Sequence, residues 1–202
     1  MSQIDMWNER FATDAYFYGK EPNAFLVRQK SRFSPGMKAL AVADGEGRNG
    51  VWLAEQGLDV LAMDASPVAL KKAEKLAEER KVSLRLECAD WKAWTWPIEA
   101  FDAVVAVFIQ FTGPDDRALM FERMKRALNP GGLLLLHGYR TEQLAYGTGG
   151  PKAIENLYTE ALLREAFCDM QILELRSYDA EIEEGTGHRG MSALIDMVAR
   201  RV

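Results

Sequence analysis

The segment Leu40-Ala41-Val42-Ala43-Asp44-Gly45-Glu46-Gly47-Arg48-Asn49-Gly50 constrains this chain most. A short apolar run breaks into closely spaced glycines and then into helix-forming sequence. Glycine permits tight turns and close backbone approach, and a helix start offers N–H groups to a ligand. A second apolar run, Val60-Leu61-Ala62-Met63, ends in Asp64, 19 residues after Gly45. An acid at the tip of the neighbouring strand is placed to accept hydrogen bonds from a ribose diol. Together these features predict an α/β sheet that binds an adenosine-containing cofactor.

Beyond an N-terminal segment of roughly 35 residues, strand and helix patterns alternate. Strands are expected at 38–43, 58–63, 82–88, 101–108 and 133–137. Helices are expected at 49–56, at 67–80 with Ser66 as N-cap and Pro67 first in the helix, at 115–128 and near 159–167. The 115–128 helix should stop at Asn129-Pro130-Gly131-Gly132. Residues 170–179 and 190–200 read as two further strands, joined by an acidic, glycine-bearing stretch from Asp179 to Arg189 without a crossover helix. Such a pair is antiparallel. The expected fold is therefore α/β: a Rossmann-like, seven-stranded, mostly parallel sheet with helices on both faces and a C-terminal antiparallel hairpin. With 202 residues and 48% apolar content, one domain is expected over 1–202. Within it, 1–35 would form a lid-like segment, 36–140 the cofactor-binding core, and 141–202 a substrate-side loop, helix and hairpin.

The net charge of −5 gives no chain-wide basic surface for a nucleic-acid backbone, so no nucleic-acid partner is expected. No apolar run approaches membrane-spanning length, and the start lacks a basic-then-apolar signal pattern. Two cysteines far apart and two histidines argue against a metal site. A reduced, cytoplasmic setting is the simplest expectation. Monomer and homodimer stay open.

Gly45-Glu46-Gly47-Arg48-Asn49-Gly50 matches the dinucleotide pattern GxGxxG, and the acid 19 residues on suits a nicotinamide enzyme. Against that reading stand the aromatic-bearing segment before the first strand, the short chain and the closing hairpin. Those features resemble a class I S-adenosylmethionine-dependent methyltransferase along nearly the whole chain. In that family the turn corresponding to Ala43-Asp44-Gly45-Glu46-Gly47 holds the aminoacyl end of the cofactor, and an acid matching Asp64 grips the ribose. Cys88-Ala89-Asp90-Trp91 matches its adenine-recognition motif, and Leu128-Asn129-Pro130-Gly131-Gly132-Leu133 is a familiar phrase before its fifth strand. In detail the chain is similar to the tellurite-resistance type of small bacterial methyltransferases. Trp7, Arg10, Tyr16, Tyr18, Gly19, Pro22, Asn23, Phe25, Gly47-Arg48-Asn49, Glu184-Gly185 and His188-Arg189-Gly190 carry that likeness. It departs at Ala41, where the family often has an acid, and at Ala43, where it has its first glycine. Asp44 or Glu46 would then supply the missing charge.

The resemblance implies cofactor contacts at Ala43, Asp44, Gly45, Gly47 and Asn49, and at Asp64, Ala65 and Ser66. It further implies Ala89, Asp90 and Trp91, then Val107, and Trp7 and Tyr18 from a segment folding over the cofactor. The bland readings are a capping acid for Asp64, a surface turn for Asp90, packing aromatics for Trp91, Trp94 and Trp96, and a flexible rim for the glycine loop Tyr146–Pro151. No catalytic residue is assigned; His188, His137 and Tyr146 are the candidates for a general base. The fourth strand is followed by Val107-Phe108-Ile109-Gln110-Phe111 rather than the (Asp/Asn)-Pro-Pro-(Tyr/Phe) signature of amine-methylating relatives acting on bases or glutamine. A small-molecule acceptor is therefore the expectation. An NAD(P)-dependent oxidoreductase and a non-catalytic S-adenosylmethionine-binding protein are the alternatives.

Overall fold

Lys38–Val42 (β1) and Asp59–Asp64 (β2) pair in parallel, from Lys38 opposite Asp59 to Val42 opposite Met63. Arg85–Cys88 (β3) extends the ladder on the far side of β2. These strands come from a computed structural model that describes residues 2–202. The full strand order is β3-β2-β1-β4-β5-β7-β6 in a seven-stranded sheet. The chain divides into two compact units, one running through Thr95 and taking in Glu184–Gly187, the other comprising Trp96–Glu183 and His188–Val202.

In the first unit, α1 (Gln3–Phe11) and α2 (Ala24–Arg28) precede β1, while α3 (Arg48–Glu55) and α4 (Pro67–Arg80) follow β1 and β2. Ser66 caps α4 by accepting from Ala69 N, with Pro67 in the first turn, as the sequence predicts. Val51, Leu76 and Ala77 form a core cluster under Tyr16, Val82 and Leu84. The third strand is shorter than its period-two pattern suggests. Lys81 closes α4 in the left-handed conformation, and Val82 N donates to Ala77 O at 3.0 Å, so its amide serves the helix end rather than the ladder.

The second unit holds β4 (Phe101–Val107), α5 (Pro114–Ala127), β5 (Leu128–Tyr139), α6 (Gln143–Tyr146), α7 (Glu160–Ala166), β6 (Met170–Glu184) and β7 (His188–Arg201). Buried apolar residues run almost unbroken along β4 and β5, as strands covered on both faces require. The strands β4 and β5 are parallel and end with Val107 opposite His137; β7 returns antiparallel along β5.

Two further boundaries differ from expectation. Asn129–Gly132 does not separate α5 from β5: the strand already starts at Leu128, and the glycine pair produces a register shift against Phe101–Ala103. The acidic stretch after Asp179 is strand rather than loop. Tyr178, Ala180 and Ile182 pack on Tyr139, Leu157 and Leu194, while Asp179, Glu181 and Glu183 alternate outward. The hairpin turn therefore shrinks to Gly185–Gly187. The loop after Tyr146 is held by Gln143, which donates to Thr148 Oγ1 and Gly149 O and accepts from Ala193 N. Among the described residues no helix is long and apolar enough to cross a membrane.

Candidate functional site

At the end of β1 the chain turns through Ala43 (φ +49°), Gly45 (φ +58°) and Gly47 (φ +88°) before α3 begins. Ala43 thus keeps the left-handed conformation in which a glycine would be at ease, at a cost of order 1 kcal/mol. At Gly47 only glycine fits, because a Cβ there would lie 2.5 Å from the Ala73 Cβ.

All three glycine amides of the pattern are used inside the protein. Gly45 N donates to Asp64 Oδ2 at 2.9 Å, Gly47 N to Asp44 O at 3.2 Å, and Gly50 N to the two Asp44 carboxylate oxygens at 3.0 and 3.2 Å. Asp64 Oδ1 accepts from Ser66 N at 2.8 Å, and Asp64 O accepts from Ala89 N at 3.0 Å. The tips of β1, β2 and β3 are therefore stitched together through Asp64. An ionised carboxylate has about four acceptor positions; with the amides of Gly45, Ser66 and Ala65 on it, roughly one remains for a donor such as a ribose hydroxyl. Burial pushes the Asp64 carboxyl up, against the hydrogen bonds from Ser66, Gly45 and Ala65 that hold it down. Burial likewise pushes Asp44 up to about 7; the Gly50 amide and Arg48 pull it down and the Asp64 charge pushes it up.

Glu46 is spent elsewhere. It pairs with the Lys72 ammonium, and its Oε2 accepts from Tyr18 N at 3.3 Å. Lys72 also donates to the carbonyls of Phe11, Thr13 and Ala15. Of the two acids offered in place of Ala41, Asp44 is the one left at the turn. Asn49 is buried and accepts from Asn23 N at 3.0 Å, and Ser66 Oγ donates to Asn8 Oδ1 at 2.7 Å. Both side chains therefore fasten the N-terminal segment. Trp7 stacks on Phe11 with Arg10 over its ring, and Phe11 lies against Gly45. Tyr18 sits edge-on to Phe11 and Phe17. Asp90 is exposed and accepts from Lys92 N at 2.8 Å, opening a turn after β3 beside the buried Trp91.

In the second unit, Val107 ends β4 opposite His137. His137 Nδ1 lies 2.6 Å from Asp196 Oδ1, which also accepts from Tyr178 OH at 3.2 Å. The Phe108 ring is 4.6 Å from His137 and 4.2 Å from His188, and His188 is buried rather than solvated. Tyr146 is exposed and gives its hydroxyl to Asp179 at 3.0 Å, which pushes its own ionisation up.

A family model described as a methyltransferase domain matches residues 39–132, from β1 into β5. Over that stretch the chain matches a methyltransferase domain, and its likeness is to the class I S-adenosylmethionine-dependent methyltransferases. It is 28% identical over 160 residues to a glycine/sarcosine N-methyltransferase of Halorhodospira halochloris, covering 72% of this chain and 59% of that one. It is 30% identical over 124 residues to a carboxy-S-adenosyl-L-methionine synthase of Geobacter metallireducens, covering 59% and 48%. The chain thus spans about half the length of these curated relatives. In fold it is similar to the crystal structure of TehB from Haemophilus influenzae, with a TM-score of 0.73 at 22% identity over 98% of this chain and 67% of that one.

Several residues that shape this site carry little or no signal in the sequence. Asp196 was signalled by standing alone as an acid in the apolar run Ala193–Ala199. Lys72 gave no signal, because a lysine on an amphipathic helix ordinarily faces water. Glu184 shows in the sequence only as part of the family likeness, and nothing near it points to the partners of its carboxylate.

Proposed function

We propose that this chain binds S-adenosylmethionine at the glycine turn and transfers its methyl group to a small-molecule acceptor. The observation that carries the reading is the engagement of the Gly45, Gly47 and Gly50 amides by Asp44 and Asp64. A dinucleotide fold presents such amides to a pyrophosphate. Here an anion would meet two carboxyl groups, which suit a ligand bearing an ammonium and a sulfonium. That disfavours the nicotinamide alternative.

In this reading Asp44 faces the cationic aminoacyl end, Asp64 takes the ribose hydroxyls, and the Ala89–Trp91 turn receives the adenine. The sulfonium supplies an activated methyl group. The chain's own task is to orient the two partners and exclude water, which can be worth ~7–11 kcal/mol. Trp7, Phe11 and Tyr18 are suited to the exclusion, and their faces attract a cation. A thiol or neutral amine acceptor needs no protein base; for a hydroxyl, His137 oriented by Asp196 would take the proton at Nε2. The small acceptor is supported by the named chemistry of the glycine/sarcosine relative and by the acidic net charge, which also argues against a nucleic-acid substrate. A cytoplasmic setting fits two exposed, unpaired cysteines.

The test is calorimetric titration with S-adenosylmethionine, S-adenosylhomocysteine and NAD, followed by S-adenosylhomocysteine-release assays over thiols, metalloid oxyanions, amines and phenols. Binding of the first two and not NAD, with turnover on one acceptor class, is expected. NAD binding would overturn the cofactor. Tight S-adenosylmethionine binding without turnover on any class would favour a non-catalytic binding protein.

A further inference from the structure

Glu184, in the tip of the β6–β7 hairpin, is grouped with the N-terminal unit although its flanking strands are not. Its carboxylate is mostly buried and bridges two parts of that unit. Oε2 accepts from Arg48 Nη2 at 2.8 Å, and Oε1 accepts from Asn23 Nδ2 at 2.8 Å. Arg48 opens α3 directly after Gly47, and its Nη1 donates to Tyr18 O at 3.3 Å. Asn23 in turn donates its backbone N–H to Asn49 Oδ1.

The turn that follows is shaped for the same seat. Thr186 N and Gly187 N donate to Phe17 O at 2.9 and 3.1 Å. A Cβ on Gly185 would lie 2.3 Å from that carbonyl oxygen, and one on Gly187 would lie 2.3 Å from the Phe17 ring. Residues 17–19 are thus gripped between the hairpin tip and the pair Glu46–Arg48 that flanks Gly47. The grip passes from Glu184 to the start of α3 through Arg48 and, by way of Asn23, through Asn49.

We infer that Glu184 is a positioning residue for the cofactor site, acting through Arg48 and Asn23 to hold both the glycine turn and the Tyr18 segment in their binding arrangement. The inference rests on the cofactor lying at that turn. A ligand that must first order the turn and the segment binds more weakly by the cost of ordering them. Removing the carboxylate also strands the Arg48 charge in a buried place.

The experiment titrates S-adenosylhomocysteine into the full chain and follows its dissociation, for the wild type, Asp64→Ala, Glu184→Ala, Glu184→Gln and the exposed neighbour Glu183→Ala. Glu184→Ala is expected to raise Kd tenfold or more and to speed dissociation. Glu184→Gln, which keeps an acceptor for Asn23, should raise Kd less, and Glu183→Ala not at all. S-adenosylhomocysteine should slow amide exchange at Tyr18 and Gly187 in the wild type and not in Glu184→Ala; if that variant does not fold, Glu184→Gln carries the test. Wild-type affinity and exchange in both Glu184 variants, with only a lowered Tm, would mark a merely structural residue and overturn the inference. Wild-type affinity in Asp64→Ala would instead overturn the placement of the cofactor.

Discussion

Asp64 Oδ2 accepts the Gly45 amide at 2.9 Å, so the tip of β2 holds the turn at the end of β1. The other oxygen holds Ser66 N, the first amide ahead of α4. One carboxylate thereby fixes a turn and a helix start and still has about one acceptor position to offer a ligand.

Asp64→Ala should raise the Kd for S-adenosylhomocysteine at least tenfold, about 1.4 kcal/mol or more, the scale of hydrogen bonds to a charged group. Asp64→Asn should not rescue binding, because its amide nitrogen cannot accept from Gly45 or Ser66. Isothermal titration measures both; a Kd within twofold of wild type in either variant would remove Asp64 from the site.

Asp44 carries a pH dependence of known sign. Its folded-state value of about 7 lies above the ordinary 3.8 because burial disfavours the charged form. The native state therefore holds its proton where the unfolded chain has lost it. The stabilisation is complete below about pH 4 and is lost as pH rises toward 7, with a slope of at most about 1.4 kcal/mol per pH unit. Asp44→Asn, which keeps an acceptor for Gly50 N, should flatten urea-derived stability between pH 4 and 7. An unchanged slope would mean that Asp44 titrates normally.

The sequence displayed this half of the molecule well, because its signals are local. A glycine needed for positive φ at Gly45 and Gly47, a cap at Ser66 before Pro67, and an acid at the end of an apolar run all show in a few consecutive residues. What stayed hidden depends on partners far along the chain. Glu46 looked like a ligand residue and is instead paired with Lys72, and Glu184 meets Arg48 across 136 positions. The acidic run 179–184 was misread because its composition says loop while its period-two burial says strand. His188 stands beside glycines in the sequence, and the packing of Phe108 and Tyr139 on its ring has no sequence signature.

Glycine substitutions separate conformational from steric cost. Gly36 and Gly47 both have positive φ, +86° and +88°, but nothing lies within 4 Å of a Cβ at Gly36, whereas at Gly47 it would overlap Ala73. Gly36→Ala should cost about 1 kcal/mol, and Gly47→Ala about 2–4 kcal/mol once overpacking of about 1–3 kcal/mol is added. Chemical denaturation of the pair checks this, and equal losses would show that α4 yields at Ala73.

His137 and Asp196 stand opposite each other across β5 and β7, both almost wholly buried. Asp196→Ala would leave His137 Nδ1 and the Tyr178 hydroxyl without their common acceptor, and about 3–5 kcal/mol of stability should be lost. Asp196→Asn keeps one acceptor oxygen and should lose clearly less. If the pair also serves the reaction, Asp196 fixes the proton on Nδ1 and leaves Nε2 as the basic atom. His137→Gln should then lower kcat about 10²–10⁴-fold for a hydroxyl acceptor, with the Kd for S-adenosylhomocysteine unchanged. A thiol acceptor, needing no base, should be spared. Equal loss on both acceptor classes, in step with lost stability, would assign the pair to locking the register of β5 on β7.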